Sequence, residues 1–565
     1  MKHLFTFVLA LLIIGSSFAQ KDIPKDYFDN PLQIPLILAG SFGELRSNHF
    51  HSGIDIKTKQ VEGIPIYAPA DGYVSRIKVA HFGFGKALYL KHPNGYSTVY
   101  AHLQRYGGNI QTLVKSAQYK KERYEVELFP EQADIPVKKG DLIGYTGDSG
   151  SSGGPHLHFE IRDSASRPMN PMLFGIEVPD TKKPIISSVY AYPMGSGAQV
   201  NGDTKPYKVR LKKQKDGSYK AENIEAFGKI GFGISSHDQQ NGASNKNGVY
   251  QIKTAHNGQE KFNILFERFS FSETRYLNRF IDYGYFKKNR SRIQKLFRES
   301  NNPLSIIKNE EDNGFISVSE GFESNFTIEV CDYLDNKVLI TIPIKGVHAE
   351  ELVATEDYSK HEYIVANGHT SLSQGKFDMY FPPQSLYEDV YLDISARGDT
   401  LSFHKDEVPI HKNVTISADI SAYKTTDKSK LYLGRLNYKG IPYYSNTMLE
   451  GNTLKTRVRI FGDYVIAADT TKPKIKAINF SEGKWISSNK SLKIKIEDKE
   501  SGISSYRATI NGKYILTEYE YKKDVLTYDF ADNIISDTEN NLKLIVTDNV
   551  GNSATFEATF FRKQI

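Results

Sequence analysis

The sequence predicts a mainly β protein of several domains, with a small antiparallel β-domain first and three β-sandwich segments after it. Three observations support this fold class. A chain of 565 residues is too long for one hydrophobic core. Its 35 Tyr, 32 Phe and 43 Gly favour strands and turns over helices. Short alternating runs bounded by Gly and Pro recur, as at 72–79 and 87–91.

The net charge argues against a nucleic-acid partner. It is only +6, from 72 basic and 66 acidic residues. A nucleic-acid-binding domain more often carries a dense basic patch, so we expect no nucleic acid to bind. An excess this small is compatible with a polyanionic surface such as a cell wall.

Residues 1–19 have the pattern of a secretory signal peptide. Lys2 precedes an apolar run from Leu4 to Ile14, and small residues then lead to a cleavage site expected after Ala19. The run is too short for a membrane span, and no second run of spanning length follows. We therefore expect no transmembrane segment and an exported mature chain, either periplasmic or extracellular and associated with the cell wall.

The single cysteine, Cys331, excludes an intramolecular disulfide. It lies in an alternating, strand-like segment. We expect it to be a buried structural thiol.

A repeated string divides the rest of the chain. Asp180-Thr-Lys-Lys-Pro184 recurs as Asp469-Thr-Thr-Lys-Pro473. The repeat continues in the same order, which predicts one sandwich type used twice. The later matched positions are Asp238 with Asp498, Asp332 with Asp548, and Asn336 with Asn552. The copies resemble the immunoglobulin-like repeats of bacterial surface proteins.

Four domains follow from these boundaries. Residues 20–178 form the first domain and 179–346 an Ig-like sandwich. Residues 347–468 form a β-rich domain in which we identify no chemistry, and 469–565 form a C-terminal Ig-like sandwich.

The first sandwich contains a basic insertion at 271–299, where hydrophobic residues mix with Arg and Lys at roughly helical spacing. Two interpretations remain open. The insertion is a solvated helical face packed on the sandwich, or a patch that grips an acidic polymer.

Three motifs in the first domain carry candidate chemistry. In the first, His51 and Asp55 lie four residues apart where an alternating strand starts. A His and an Asp at this spacing are more often structural than functional. His49, two residues before His51, has no further support.

The second motif is His156-Leu-His-Phe-Glu160, on an alternating strand. Successive strand side chains point to opposite faces, so His156 and His158 share a face, roughly 6.5 Å apart. One imidazole can bind a metal while the other lies near bound water. Leu157 and Phe159 face a core. The third motif, at the end of the strand that starts at Tyr96, contains His102 and is weak by itself.

Together the three motifs resemble the LytM/lysostaphin-type zinc endopeptidases. That family carries His-x-x-x-Asp, then a Tyr-x-His-Leu-like strand, then Gly-Pro-His-Leu-His-Phe-Glu. The resemblance covers about residues 40–170 and implies a small antiparallel β metallopeptidase domain. It also implies one Zn²⁺ per chain and peptidoglycan peptide stems or cross-bridges as the substrate. The residues carried over are His51, Asp55 and His158 as metal ligands, and His102 and His156 as catalytic residues.

Two other functions compete with a peptidoglycan endopeptidase. One is a non-catalytic wall-binding activator or scaffold with a peptidase-like domain, and the other is an exported metallopeptidase acting on proteins. Presence of all five residues favours an enzyme over the activator. The sequence makes no prediction of the oligomeric state.

Three further expectations concern the surroundings of the motifs. Glu160 either orients a metal ligand or pairs with Arg162 or another cation. Residues 115–134, which look like an insertion, form a wall or lid of the groove or a surface hairpin away from it. We expect the outer β-domains to be dispensable for bond cleavage.

Overall fold

A computed structural model describes residues 23–349 and 358–563. The predicted signal peptide at 1–19 lies outside these ranges. Within them, no helix combines the length and apolar character needed to span a membrane. The described chain is mainly β, as the sequence predicts.

The first domain is built from two antiparallel sheets. The larger has the order β1-β2-β11-β6-β5-β4-β8, with β12 and β9 at its margins, and the smaller is β3-β10-β7. One helix, α1, follows β7. The elements are β1 (Leu38–Gly40), β2 (Ile54–Lys57), β3 (Pro65–Tyr67), β4 (Gly72–Val79), β5 (Lys86–Lys91), β6 (Ser97–Ala101), β7 (Leu103–Tyr106), α1 (Gly108–Lys120), β8 (Val126–Leu128), β9 (Pro136–Val137), β10 (Leu142–Thr146), β11 (His156–Arg162), β12 (Pro168–Met169) and a 3₁₀ turn at Pro171–Phe174.

The second domain is organised around one long strand, β18. Its start pairs with β25 and its later part with β13, so it runs from one layer into the other around a shared core. The elements are β13 (Ile185–Pro193), β14 (Gln199–Val200), β15 (Tyr207–Val209), β16 (Leu211–Lys213), β17 (Tyr219–Ala221), β18 (Ile224–His237), β19 (Gln251–His256), β20 (Gln259–Leu265), α2 (Leu277–Phe280), α3 (Tyr283–Asn289), β21 (Gln294–Lys295), β22 (Ile307–Glu310), β23 (Ile316–Val318), β24 (Glu323–Cys331) and β25 (Lys337–Gly346), with 3₁₀ turns at Thr274–Tyr276 and Asp312–Gly314. Cys331 is buried at the end of β24.

The third domain packs two five-stranded sheets over one core. Their orders are β27-β28-β32-β36-β35 and β30-β31-β37-β33-β34. The strands are β26 (Glu362–Ile364), β27 (Thr370–Gln374), β28 (Phe377–Phe381), β29 (Val390–Leu392), β30 (Ile394–Arg397), β31 (Thr400–Phe403), β32 (Val414–Asp419), β33 (Leu431–Leu436), β34 (Pro442–Tyr444), β35 (Thr447–Glu450), β36 (Thr453–Val458) and β37 (Gly462–Ala468), with a 3₁₀ turn at Lys428–Lys430.

The fourth domain is a smaller pair of sheets. Their orders are β38-β40-β44-β43 and β39-β46-β45-β41-β42, and the apolar residues of both sheets form one core. The strands are β38 (Lys474–Ala477), β39 (Lys484–Trp485), β40 (Ser491–Glu497), β41 (Ile503–Ile510), β42 (Lys513–Tyr514), β43 (Thr517–Glu520), β44 (Val525–Asp529), β45 (Glu539–Asp548) and β46 (Ser553–Phe561), with a 3₁₀ turn at Phe530–Asp532.

The first and second domains share hydrophobic core. Phe42 and Phe50, which precede the candidate ligands in sequence, are buried in the core of the second domain. The ring of Phe50 lies 5.5 Å from that of Phe269 and 6.1 Å from that of Phe280. The second domain therefore helps to position the chain that leads into His51.

The basic insertion at 271–299 lies between the second and third domains. It contains the short helices α2 and α3 and packs on the sandwich, as the first interpretation expects, but many of its cations face acids rather than solvent. Arg279 forms a bidentate salt bridge with Glu388, in which Nη1 donates to Oε1 at 2.6 Å and Nη2 donates to Oε2 at 2.7 Å. Further ion pairs join Lys287 to Asp406, Lys288 to Glu407, Lys295 to Glu299 and Arg298 to Glu310. This pairing leaves less free positive charge for an acidic polymer than the sequence suggests.

The fourth domain folds back onto the first. Leu516 is buried in the core of the first domain, and Lys86 lies 2.8 Å from Glu518. Residues 115–134 take part in this interface. Asp532, whose side chain is only 2% exposed, accepts hydrogen bonds from Lys115 and from the Tyr119 hydroxyl.

We predict that Asp532→Ala loosens this interface in the full chain. The variant leaves Lys115 and Tyr119 at the interface without their acceptor, which costs about 2 kcal/mol of docking free energy. Small-angle X-ray scattering should then show a larger maximum dimension. The exposed Asp537, which accepts from Asn511 of the same sandwich, supplies the control Asp537→Ala. Equal dimensions for both variants would contradict the prediction.

Candidate metal centre and active site

Antiparallel pairing of β2 with β11 brings Asp55 and His158 together. The two residues are direct partners across the ladder, so their side chains project side by side from the same face. His51 reaches the same point from the loop before β2. The Nε2 atom of His51 lies 3.0 Å from Asp55 Oδ1 and 3.1 Å from His158 Nδ1. His158 Nδ1 and Asp55 Oδ1 are 2.8 Å apart.

This donor set fits zinc. Two imidazole nitrogens and one carboxylate oxygen converge, and all three residues are buried. Three protein ligands of these types are the set that a catalytic zinc takes, because such a site keeps one coordination position open.

Oxygen acceptors behind the two ligand histidines select the nitrogen that faces the metal position. His51 Nδ1 lies 2.7 Å from the Ser41 carbonyl oxygen, and His158 Nε2 lies 2.9 Å from Glu160 Oε1. Because a carbonyl or carboxylate oxygen can only accept, these nitrogens carry the hydrogens. The lone pairs are then on His51 Nε2 and His158 Nδ1, the two atoms that converge on Asp55.

Glu160 combines both of the roles considered for it. Its Oε1 accepts from His158 and from the Ser52 hydroxyl, and its Oε2 accepts from Arg162. Burial by itself would raise the pKa of Glu160, but Arg162 and His158 outweigh burial and lower it to about 2. Glu160 is therefore a buried carboxylate that orients His158 and is balanced by Arg162.

The electrostatic potential is negative where His51, Asp55 and His158 converge. Burial disfavours the charged form of His158, yet the hydrogen bonds that this form donates to Asp55 and Glu160 outweigh burial and raise its pKa to about 9. Burial would likewise raise the pKa of Asp55, but His51, His156 and His158 hold it well below its usual value. Two carboxylates around His158 thus favour a positive charge, which a metal ion supplies in place of a proton.

Two further histidines lie beside the three ligands. His102 ends β6 with a φ of 60°, a left-handed conformation that turns the chain sharply between β6 and β7. The rings of His102 and His156 are 4.8 Å apart, and the rings of His102 and His158 are 6.0 Å apart. The structure therefore brings all five sequence-predicted site residues into one cluster.

Backbone carbonyls also select the free nitrogen of these two rings. His102 Nδ1 donates to the Ser149 carbonyl at 2.9 Å, and His156 Nδ1 to the Gly154 carbonyl at 2.8 Å. The Nε2 of His102 is left to accept or pass a proton, and the Nε2 of His156 lies 3.5 Å from Asp55 Oδ1. Burial, followed by the neighbouring His158 and His156, lowers the pKa of His102 to about 3, so its ring is neutral at neutral pH.

The five residues line a cavity of about 560 Å³ that also contains residues the sequence did not indicate. Arg46 donates to Asp55 Oδ2 at 2.9 Å. Arg292 comes from the basic insertion of the second domain. No sequence motif marks either residue as part of the site, because Arg46 lies in a loop and Arg292 is far in sequence from the three histidine motifs. Both place positive charge at the cavity wall.

Residues 115–134 are not part of this wall. Among the described residues, the cavity lining includes none from this segment, which forms part of α1 and β8 and contacts the fourth domain. The interpretation as a groove wall or lid is therefore wrong for this structure. The physical reason is that Lys115 and Tyr119 find their polar partner, Asp532, on the neighbouring sandwich.

The fourth domain instead contacts a loop beside the site. Lys522 donates to the carbonyl of Asp148 at 2.6 Å and lies 3.0 Å from its carboxylate. The ring of Tyr521 lies 4.5 Å from that of Phe82. Asp148 begins the loop whose carbonyls hold His102 and His156. These contacts argue against the expectation that the outer domains are dispensable for cleavage.

Comparisons with known proteins agree with this geometry. The model of peptidase family M23 matches residues 49–119 and 129–171, and that of the Zu5-like domain matches 361–469. The chain is 32% identical over 136 residues to the DD-carboxypeptidase/endopeptidase Mpg of Neisseria meningitidis, covering 24% of this chain and 25% of that protein. It is 36% identical over 99 residues to the peptidoglycan DD-endopeptidase ShyC of Vibrio cholerae, covering 18% and 17%.

The similarity to peptidases is confined to a short part of this chain and of its curated relatives. The chain spans about a quarter of the length of Mpg. A catalytic-domain mutant of the prophage-encoded M23 protein EnpA from Enterococcus faecalis aligns with 26% of this chain and 98% of its own, at 24% identity and a TM-score of 0.20. The family match contains His51, Asp55, His102, His156 and His158. The part of this chain that matches peptidase family M23, the LytM/lysostaphin-type peptidases, is therefore the first domain, at residues 49–119 and 129–171.

Proposed function

We propose that this protein is an exported zinc endopeptidase that hydrolyses peptide cross-links of peptidoglycan. The observation that carries the proposal is the convergence of His51, Asp55 and His158 beside two histidines whose Nδ1 atoms donate to backbone carbonyls, so that their Nε2 atoms are the ones that can exchange protons. One zinc ion per chain fits the three ligands. The names of the relatives, DD-endopeptidase among them, support peptidoglycan as the substrate class.

The chain's own residues supply the proton transfers. A zinc ion held by the three ligands supplies a Lewis acid that activates water and polarises a carbonyl group. His102 and His156 present Nε2 atoms that can accept a proton from the attacking water and return it to the leaving amine. The same atoms, once protonated, can donate hydrogen bonds to the oxyanion.

The position of the cavity supports a polymer substrate. It is bounded by the first domain on one side and by Arg292 of the second domain on the other. Arg292 suits a peptide that carries a free carboxylate, because a guanidinium group binds a carboxylate with two parallel hydrogen bonds. Export follows from the signal peptide predicted at 1–19.

We predict that His158→Ala abolishes zinc binding and activity. The substitution removes one of only three protein ligands. Metal analysis of the purified chain should show about one zinc per wild-type chain and almost none in the variant. His49→Ala removes a neighbouring histidine that contacts Asn48 instead of the ligands, and it should retain zinc. Full zinc content in His158→Ala would contradict the ligand assignment.

We predict that His156→Ala and His102→Ala retain zinc but lose turnover by roughly 100-fold or more, because a positioned proton carrier typically contributes 10²–10⁴-fold. The assay is digestion of defined cross-linked muropeptides with product masses as the readout. His369, an exposed residue of the third domain, gives the control His369→Ala, which should cleave at the wild-type rate.

Two outcomes of that assay would overturn the proposal. Loss of zinc from His156→Ala or His102→Ala would exchange the ligand and catalytic roles. If zinc-loaded wild-type protein leaves every muropeptide intact, the activator function is favoured. If that protein nevertheless cleaves an unrelated protein such as casein, a protein-directed peptidase is favoured.

We predict that Lys522→Ala lowers turnover roughly fivefold without loss of zinc. Lys522 braces the loop that holds His102 and His156, and one exposed charged contact is worth up to about 1 kcal/mol. Steady-state kinetics on a muropeptide measures the effect. The adjacent Lys523→Ala makes the same charge change and should behave as wild type. Identical rates for the two variants would show that the loop keeps its geometry unaided.

A further inference from the structure

Three aspartates outside the peptidase site converge where the first two domains meet. Oxygen atoms of Asp180, Asp238 and Asp332 all lie within 4.8 Å of one another. Asp180 belongs to the linker that enters the second domain, while Asp238 and Asp332 directly follow β18 and β24. The cluster thus joins the incoming chain to the ends of two core strands.

The same three positions recur in the fourth domain. Asp469, Asp498 and Asp548 form a second group of this kind, again with the first aspartate on the entering linker. In both copies an Asn four residues after the last aspartate donates its side-chain amide to that carboxylate, at 2.6 Å in the first copy and 2.7 Å in the second. The sequence repeat is therefore also a repeat of one polar arrangement.

In the first cluster one carboxylate oxygen has no hydrogen-bond partner although it is buried. Asp238 is only 7% exposed, and its Oδ1 atom is without a partner in the described chain. A buried unsatisfied oxygen is costly and therefore marks a missing partner. The three aspartates also line a cavity of about 40 Å³, which has room for an ion.

No cationic side chain balances this cluster. Among residues 23–349 and 358–563, no Lys or Arg forms an ion pair with Asp180, Asp238 or Asp332. Burial, together with the charges of Asp180 and Asp332, raises the pKa of Asp238 to about 7. Burial also raises the pKa of Asp332. Without a cation, three close carboxyl groups repel one another and destabilise the folded state.

The chemistry of the donors selects the cation. All three side chains offer oxygen only, which favours Ca²⁺ or Mg²⁺ over zinc. Calcium accepts several carboxylates and carbonyls at 2.3–2.6 Å in flexible geometry, whereas magnesium keeps most of its water and is seldom held by an all-protein site. A mostly buried set of three carboxylates in a rigid joint is therefore better suited to calcium.

We propose that Asp180, Asp238 and Asp332 bind one Ca²⁺ ion that clamps the second domain to the linker from the peptidase domain. This proposal does not rest on the peptidase function. The clamp is connected to the candidate metal ligands through the loop that follows Asp238, because that loop also contacts the first domain. Gln240 accepts from the backbone N–H of Leu38 in β1, and Gly248 donates to the Ser41 hydroxyl at 2.8 Å. Ser41 is the residue whose carbonyl holds His51.

The test is calcium binding by the full chain. Protein is stripped of calcium on a chelating resin, reloaded with one equivalent of zinc and titrated with CaCl₂. We expect a dissociation constant between about 10⁻⁴ and 10⁻³ M, the range of extracellular calcium modules. At saturating calcium we expect the melting temperature to rise by about 5 °C.

Asp238→Asn is the decisive variant. It should bind one calcium ion fewer than wild type and show a smaller calcium-dependent rise in melting temperature. Without calcium it should melt no lower than wild type, because the substitution removes one of the mutually repelling charges. Asp180→Asn repeats the test if Asp238→Asn does not fold. The matched control is Asp335→Asn in the same loop as Asp332, whose exposed carboxylate pairs with Lys337. It should bind calcium as wild type does.

Three results would overturn the proposal. These are an unchanged melting temperature of wild type on adding calcium, an unchanged calcium stoichiometry in Asp238→Asn and Asp180→Asn, and an equal stabilisation by MgCl₂ at the same concentration. The last result would reject calcium as the ion.

Discussion

The register between β2 and β11 is the constraint on which the metal centre depends. It places Asp55 opposite His158, and a shift by one residue would turn each ligand to the other face of the sheet. The buried apolar residues between them, Leu157 and Phe159, make such a shift costly because they would leave the core. The same core that stabilises the domain therefore holds the ligands in place. The oxygen acceptors behind His158 then refine its orientation.

Contacts from three domains surround this small sheet. The second domain holds Phe50 in its core and contributes Arg292 to the cavity, and the fourth domain holds the loop at Asp148 through Lys522. Ion pairs between the basic insertion and the third domain join the second domain to the third. The contacts made by Lys522 and by the basic insertion are charged, so they are more sensitive to ionic conditions than the apolar contacts of Phe50 and Leu516.

The candidate zinc ligands and the cluster of Asp180, Asp238 and Asp332 differ in how their negative charge is balanced. At the candidate zinc ligands, each carboxylate has an imidazole or a guanidinium beside it. At Asp180, Asp238 and Asp332 no such partner is present among the described residues, and an ion from solution is the natural counter-charge. This cluster and its repeat in the fourth domain, Asp469, Asp498 and Asp548, both lie where the chain enters a pair of packed sheets.

The sequence by itself determined the mainly β class, the resemblance of the first domain to peptidase family M23, and the five histidine and aspartate residues that the structure brings together at the candidate site. These features are local, since strand alternation and motif spacing put His156 and His158 on one face. It also revealed the repeat that relates Asp180 to Asp469. Only the tertiary structure decided the role of Arg46 and Arg292, the docking of 115–134 on the fourth domain, and the pairing of the basic insertion. These depend on contacts between residues far apart in the chain, for which local periodicity carries no signal.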